Sequence, residues 1–279
     1  MSIEVSEKQS VPPPPAATPQ NAARPKIRNK GLFSAVWTII LIVGGGLFLE
    51  LGSRAGWWSP AELPAPSTVV TAMVDAAGTA QFWQDVFRTL TEVVAAIVAG
   101  SVLGLAIGLL FWKLPAVGRI FEPYLVSFYA VPLVLFYPVM IVLVGINATS
   151  VIILATIMAL IPMALNTAVG LNAMRPVYMK LARSVRATPR QVLVHVAIPA
   201  AGPYIVAGLR LAVVYALIGS IAMEFTTAQA GLGYRIRYLY EVFDNDTMFG
   251  HILAVLILSA VLTMLLAILE KALLRGRRQ

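Results

Sequence analysis

Six runs of apolar residues dominate the chain, at about 32–52, 88–111, 121–145, 149–172, 203–223 and 248–271. Each is long enough to cross a hydrocarbon core about 30 Å thick, which takes roughly 20 helical residues. The pattern predicts an all-α integral membrane protein with about six transmembrane helices. Between the first two runs, residues 53–87 carry Trp57, Trp58, Phe82 and Trp83, aromatics that favour the membrane interface. That stretch is expected to lie along the outer surface, partly helical near Ser67 to Ala77. Residues 1–30 are rich in proline, alanine and charge, with Pro12 to Pro15 in a row. They hold too little apolar area to offset the entropy of ordering and read as a disordered tail ahead of a membrane domain over 31–279. The first apolar run starts only near Leu32 and is followed by no small-residue cleavage site, so it reads as a retained anchor and not as a signal peptide.

One polar island interrupts this pattern, from Tyr178 to Pro199. Val177, Leu181 and Val185 recur every four residues with Lys180, Arg183 and Arg186 between them, the spacing of a short amphipathic helix. A second helix starts afresh after it. Thr188 supplies an N-cap hydroxyl, Pro189 the first helical position and Gln191 the far corner of a capping box. Val192, Leu193 and Val196 form its apolar face. It should stop near Ile198, because the residue before Pro199 is pushed out of the α region. The island is therefore expected to be two short helices with a sharp turn at Ala187–Thr188.

Composition agrees with a membrane protein: 59% of residues are hydrophobic and 12% charged, against about 45–50% apolar and about 25% charged in soluble domains. The net charge of +8 raises nucleic acid as a partner, but the basic residues lie between hydrophobic spans and form no continuous face. Orientation explains them. With both termini in the cytoplasm, all but Arg54, Arg88, Arg235 and Arg237 of the 21 basic residues fall on the inner side, which satisfies the positive-inside rule. The island is then cytoplasmic. The chain has no cysteine, which excludes disulfides, thiolate metal sites and cysteine nucleophiles. It has no Gly-Lys dipeptide, hence no phosphate-cradling Walker loop and no means of hydrolysing ATP by itself. His195 and His251 stand far apart in sequence with no carboxylate cluster or H-E-x-x-H around either, and both read as packing or surface histidines.

The island resembles the EAA loop of bacterial ABC-importer permeases: E-A-A, three residues, G, nine residues, then I-x-L-P. Lys180-Leu181-Ala182 stands where E-A-A would, Arg186 where the glycine would, and Val196-Ala197-Ile198-Pro199 where I-x-L-P would, with both spacings intact. Lysine for glutamate and arginine for glycine are departures, partly reversing the charge of the loop and stiffening its hinge. Leu63-Pro64-Ala65-Pro66-Ser67, Gly208-Leu209-Arg210, Glu224-Phe225 and Gly231-Leu232-Gly233-Tyr234 are similar to the nitrate/sulfonate/taurine branch, and the resemblance covers roughly residues 32–275. It implies the ABC-importer permease fold in a bacterial inner membrane. It also implies a permease domain over 31–279 whose cytoplasmic coupling loop, about 173–200, docks a separate ABC ATPase. Lys180, Leu181, Ala182, Val185, Arg186, Ala187, Thr188, Pro189, Val192, Val196, Ile198 and Pro199 would form the coupling site. The implied partners are ATPase subunits carrying the ATP-Mg, a second permease subunit of the same or a related chain, a periplasmic or lipid-anchored binding protein, and the lipid bilayer. No cofactor is expected in this chain.

Other candidates are weaker. Gly100, Gly104 and Gly108 share one helix face and permit close helix approach, either within the chain or between permeases. Pro132, Pro138 and Pro162 interrupt the third and fourth spans, as bundle-shaping kinks or as gate hinges. Asn166, Ser220 and Glu224 are polar within apolar runs and are candidates for the permeation route, although Glu224 also suits anchoring the loop to Tyr234. Glu92 and Glu122 are expected at span ends, reaching the interface. An ion-coupled secondary transporter would need mid-depth carboxylates and usually inverted repeats, and a membrane-embedded hydrolase would need a nucleophile–base set or metal ligands; neither pattern is found.

Overall fold

The computed structural model describes residues 30–59 and 62–274. The tail expected over 1–30 lies outside them, except for Lys30, where the first helix starts. Arg275, Arg277 and Arg278 lie outside them as well. Among the described residues every regular element is helical, and five helices are long and apolar enough to cross a membrane, or six if one bent pair counts as a span.

The chain divides into two compact units, residues 1–47 and Phe48–Gln279. What is described of the first is the leading part of α1 (Lys30–Arg54), where Trp37, Ile39, Leu41 and Ile42 are all exposed. A helix apolar all round is suited to lipid. The second unit begins with the last turns of α1. There Glu50 accepts hydrogen bonds from the backbone N–H of Ser67 at 3.0 Å and from its hydroxyl at 2.8 Å. Ser67 sits in the first turn of α2 (Pro66–Ala77), where no residue caps the helix from its own N-cap position, and the Glu50 carboxylate supplies both an acceptor and a favourable charge.

α3 (Ala80–Lys113) is longer than the apolar run predicts. The Thr79 hydroxyl accepts from the N–H of Phe82 at 3.3 Å, an N-cap that starts the helix eight residues before the expected span. Residues 80–87 are thus the first two turns of α3, not a surface stretch. At 1.5 Å per residue α3 measures about 51 Å, so its outer turns project beyond the apolar core.

The centre of the unit is α6 (Ala148–Asn172), whose Ala155, Ala159, Ala164 and Ala168 are essentially inaccessible. α3 lies against it through the Gly100/Gly104/Gly108 face. A Cβ at Gly104 would sit 2.6 Å from the carbonyl oxygen of Leu160 and 2.7 Å from the Cβ of Met163. α9 (Ile198–Thr227) packs on α6 by the same device, with Gly208 against Met163 and Asn166, and Gly219 against Ala155 and Met158. Small residues let backbones approach where lipid supplies no hydrophobic drive for association. α10 (Leu232–Glu241) and α11 (Asn245–Leu274) follow, and α2 crosses α11 where Gly250 meets the backbone of Ala72 and Met73.

The third expected span, 121–145, is not one helix. α4 (Pro115–Ala130) ends at extended Val131, and Pro132 opens a 3₁₀ turn over Leu133–Phe136 that leads into α5 (Tyr137–Val144). The two halves are bent by 91°. Pro132 offers no N–H and pushes Val131 out of the α region, so the helix stops there. Pro138 lies in the first turn of α5, where proline is tolerated, and Pro162 lies within α6, which runs on past it.

Candidate functional site

The polar island forms α7 (Pro176–Ser184) and α8 (Pro189–Val192). The turn between them is a Schellman motif: Ala187 N–H donates to Ala182 O at 2.9 Å, and Arg186 N–H to Arg183 O at 3.0 Å. Its pivot is Arg186, held at φ +51°. Glycine is the usual residue at that position because a Cβ is strained in the left-handed region. The glycine of the EAA pattern therefore has a backbone reason, and Arg186 occupies its conformation without its freedom. Thr188 then caps α8. Its N–H donates to Gln191 Oε1 at 2.8 Å and its hydroxyl accepts from Gln191 N–H at 3.4 Å, a full capping box.

The second island helix does not stop at Ile198. α8 passes into a π turn over Leu193–Ala197 and directly on into α9. Ile198 is helical, with φ −60° and ψ −46°, and its N–H reaches back five residues to Leu193 O. A wide turn of this kind moves the carbonyl of His195 out of the path of the Pro199 ring, so the proline clash that ends most helices is avoided. The coupling stretch expected at about 173–200 is consequently fused to a membrane helix at its C-terminal end.

The outer surface of the island is apolar where a solvated helix would be polar. Val177, Leu181 and Val185 are 53%, 61% and 67% exposed, while Lys180, Arg183, Arg186 and Arg190 flank them and make no ion pair among the described residues. Leu181, Val185, Ala187, Gln191 and Val196 line a groove of about 790 Å³ that reaches Pro199. Ala182 is buried, Val192 and Ile198 are half-buried, and Thr188 and Pro189 lie exposed at the tip. Beneath the groove, Ala197 and Leu193 pack on Leu171, Leu109 and Trp112, which ties the island to the C-terminal ends of α3 and α6. Tyr178, Gln191 and His195 are the polar side chains in the lining of the groove.

A second polar constellation lies at the opposite end of α9. The N-terminus of α10 presents three N–H groups with no partner inside the helix, and three side chains take them. Gly231 N–H donates to Asp85 Oδ1 at 3.1 Å, Leu232 N–H to the Thr89 hydroxyl at 2.9 Å, and Gly233 N–H to Glu224 Oε2 at 2.8 Å. Thr89 in turn donates to Glu224 at 2.7 Å, and Arg235 pairs with Asp85 at 2.9 Å. Gly231 adopts φ +104°, and a Cβ there would collide with the Glu224 carboxyl. Glu224 is fully buried in this clamp.

Ser220 is likewise fully buried, and half-buried Asn166 donates from Nδ2 to Pro162 O at 2.8 Å. All three pathway candidates thus lie within the packing of α3, α6, α9 and α10. Glu92 is 1% exposed and paired with Arg88, which corrects its expected place at the interface: the early start of α3 draws it inside. Asp85 and Thr89 were not singled out from sequence. Their signal is the spacing of Asp85, Thr89 and Glu92, polar at intervals of four and three on one helix face. Thr89→Val removes one donor and one acceptor from the buried clamp, and is expected to destabilise the protein by about 1–3 kcal/mol. It should show as an earlier thermal loss of monodisperse protein in detergent; an unchanged transition would mean that the clamp contributes nothing.

Residues 96–279 match the family described as binding-protein-dependent transport system inner membrane component. The chain belongs to this family. As a multi-pass permease of that family it is similar to the taurine transport system permease protein TauC of Escherichia coli (strain K12), with 28% identity over 78% of this chain and 84% of the relative. The nitrate import permease protein NrtB of Synechococcus elongatus is 26% identical over 80% of this chain and 79% of its own length. A chain of the MetNI methionine ABC transporter, solved in inward-facing conformations, superposes with a TM-score of 0.59 over 71% of this permease and 97% of that chain. At 22% identity that likeness concerns the fold alone.

Proposed function

We propose that this permease forms the translocation pathway of an ATP-binding-cassette importer for a small polar or anionic solute of the nitrate, sulfonate or taurine kind, and that it couples to a separate ATPase through α7, α8 and the groove between them. The observation that carries the coupling is the exposed strip Val177, Leu181 and Val185 on a helix rimmed by arginines. Family membership and the taurine and nitrate permeases among the relatives support the solute class. The partners are two ATPase subunits holding ATP-Mg, a second permease copy or a related chain, and a periplasmic or lipid-anchored binding protein. When the ATPases close on ATP, they draw the two docked islands together and rock the bundles outward; no bond is made or broken in this chain.

The positive-inside asymmetry supports placing both termini and the island in the cytoplasm. Because the chain has no cysteine, single cysteines report cleanly. An impermeant maleimide should label Ser67→Cys, at the head of α2, only from outside, and Ser184→Cys, at the end of α7, only from inside. Bound ATPase should shield the second. Labelling of both from one side overturns the orientation, and equal labelling of Ser184→Cys with and without the ATPase removes the island from the interface.

A further inference from the structure

Broken backbone deep in a membrane protein must have a reason, because free carbonyl and N–H groups cannot face lipid. They are tolerated only where protein covers them or where they line a wet cavity. At the end of α4, Ala130, Val131 and Pro132 are all exposed in this chain. Val131 N–H donates to Phe128 O and Pro132 O accepts from Leu135 N–H, but the last carbonyls of a helix have no intrahelical partner, and the chain's own packing does not cover those of α4. Depth can be read from the neighbouring helices. Met158 and Tyr215 adjoin the break across a cavity of about 260 Å³. Met158 stands about 15 Å from one end of α6 and about 21 Å from the other, and Tyr215 about 25 Å and about 18 Å from the ends of α9. The break is therefore near mid-membrane.

The chemistry of the cavity wall is sparse. Tyr129 and Tyr215, their ring centroids 5.0 Å apart, are the only polar side chains among residues that otherwise include Pro132, Met158, Ile161 and Ile218. No carboxylate stands there to repel an anion, and no lysine or arginine to trap one. Phenol hydroxyls donate hydrogen bonds to an oxyanion without a full charge. A site of passage needs that balance, favourable enough to enter and weak enough to leave. The cavity is also smaller than the roughly 300–1,000 Å³ typical of drug-sized ligands, which suits a small solute.

We propose that the break between α4 and α5 is a station on the permeation route, and that the hydroxyls of Tyr129 and Tyr215 meet a small oxyanion there as it crosses mid-membrane. The proposal rests on the importer reading and names a place in the pathway that Asn166, Ser220 and Glu224, packed within the bundle, do not occupy.

The test uses the assembled transporter with its ATPase in membranes, single cysteines, and a small sulfonate-bearing thiosulfonate reagent as the anionic probe. Only thiols reached by water ionise and react. Tyr215→Cys and Ile218→Cys are expected to react about tenfold or more faster than Val142→Cys, a residue on the apolar face of α5 that is 84% exposed. Their rates should also change when nucleotide is trapped in the ATPase. Adding Tyr129→Phe and Tyr215→Phe to Ile218→Cys should slow the anionic reagent several-fold and leave a neutral reagent of similar size unaffected; no difference between the two reagents removes the role of the hydroxyls. If both cavity cysteines react as slowly as Val142→Cys in transporters that still couple ATP hydrolysis to uptake, the cavity is dry, a second permease copy covers the break, and the proposal fails with the importer reading intact. If the unmodified assembly shows no ATP-driven uptake, that reading fails and the proposal falls with it.

Discussion

Replacing Val185 with aspartate is expected to release the ATPase from the transporter, or to leave ATP hydrolysis running without uptake, while the permease still inserts in the membrane. Val185 is 67% exposed at the end of α7 and lines the island groove. Contact with a partner would desolvate it. A carboxylate buried there without a counter-charge costs several kcal/mol, comparable to the whole contribution of a docking hot spot. Arg186→Gly is the informative contrast. It removes a charge from the same turn but relieves a residue held at φ +51°, a conformation that costs a residue with a Cβ about 1–2 kcal/mol. That variant is expected to keep the ATPase. Co-purification of the ATPase and solute uptake, measured side by side for the two variants, check both statements. Full ATPase binding and full uptake by Val185→Asp would deprive the island of its coupling role.

Gly104→Leu is expected to cause the largest loss of folded protein of any single change considered for the membrane core. The position has no room: a Cβ alone would lie 2.6 Å from Leu160 O and 2.7 Å from Met163 Cβ. The nearest atom is a backbone carbonyl, which cannot swing aside, with the root of the Met163 side chain beside it, and Gly100 and Gly108 hold the same separation above and below. Overpacking of this kind typically costs about 1–3 kcal/mol, occasionally more, and here a four-atom side chain would force α3 from α6 along the whole seam. The yield of monodisperse permease after detergent extraction measures it, with Gly104→Ala as the graded step. A normal yield of Gly104→Leu would mean that α3 and α6 separate without penalty and that the seam is not what holds the bundle.

The spans were legible because the bilayer imposes a length and a composition that a run of residues either meets or does not. The cap at Thr188, Pro189 and Gln191 was legible because its chemistry is local. Four features were not. The start of α3 depends on Thr79, which lies between the first and second apolar runs and belongs to neither, so hydropathy placed the helix eight residues late. The 91° bend at Pro132 lies within a sequence apolar enough to span without interruption, and hydropathy does not register backbone direction. Continuity past Pro199 relies on a π turn, whose hydrogen bonds to the fifth residue back leave no mark on the pattern of side chains. The clamp at α10 was hidden for a different reason. Asp85, Thr89 and Glu224 are brought together from residues more than a hundred apart, and only folding makes them neighbours.

The π turn has a bearing on which kinds of mutation the permease tolerates. A wide turn is, in effect, one inserted residue carried inside a helix. Losing any one residue between Leu193 and Ala197 would leave nothing to widen the turn and would set the Pro199 ring against the carbonyl four residues back, so the helix would kink or break between α8 and α9. Substitutions in that stretch alter a contact, whereas a deletion re-aims the island and points Leu181 and Val185 in a new direction. The direction of the island's apolar face is thus written in residue count, and drift in length over five positions is held to a stricter standard than drift in identity.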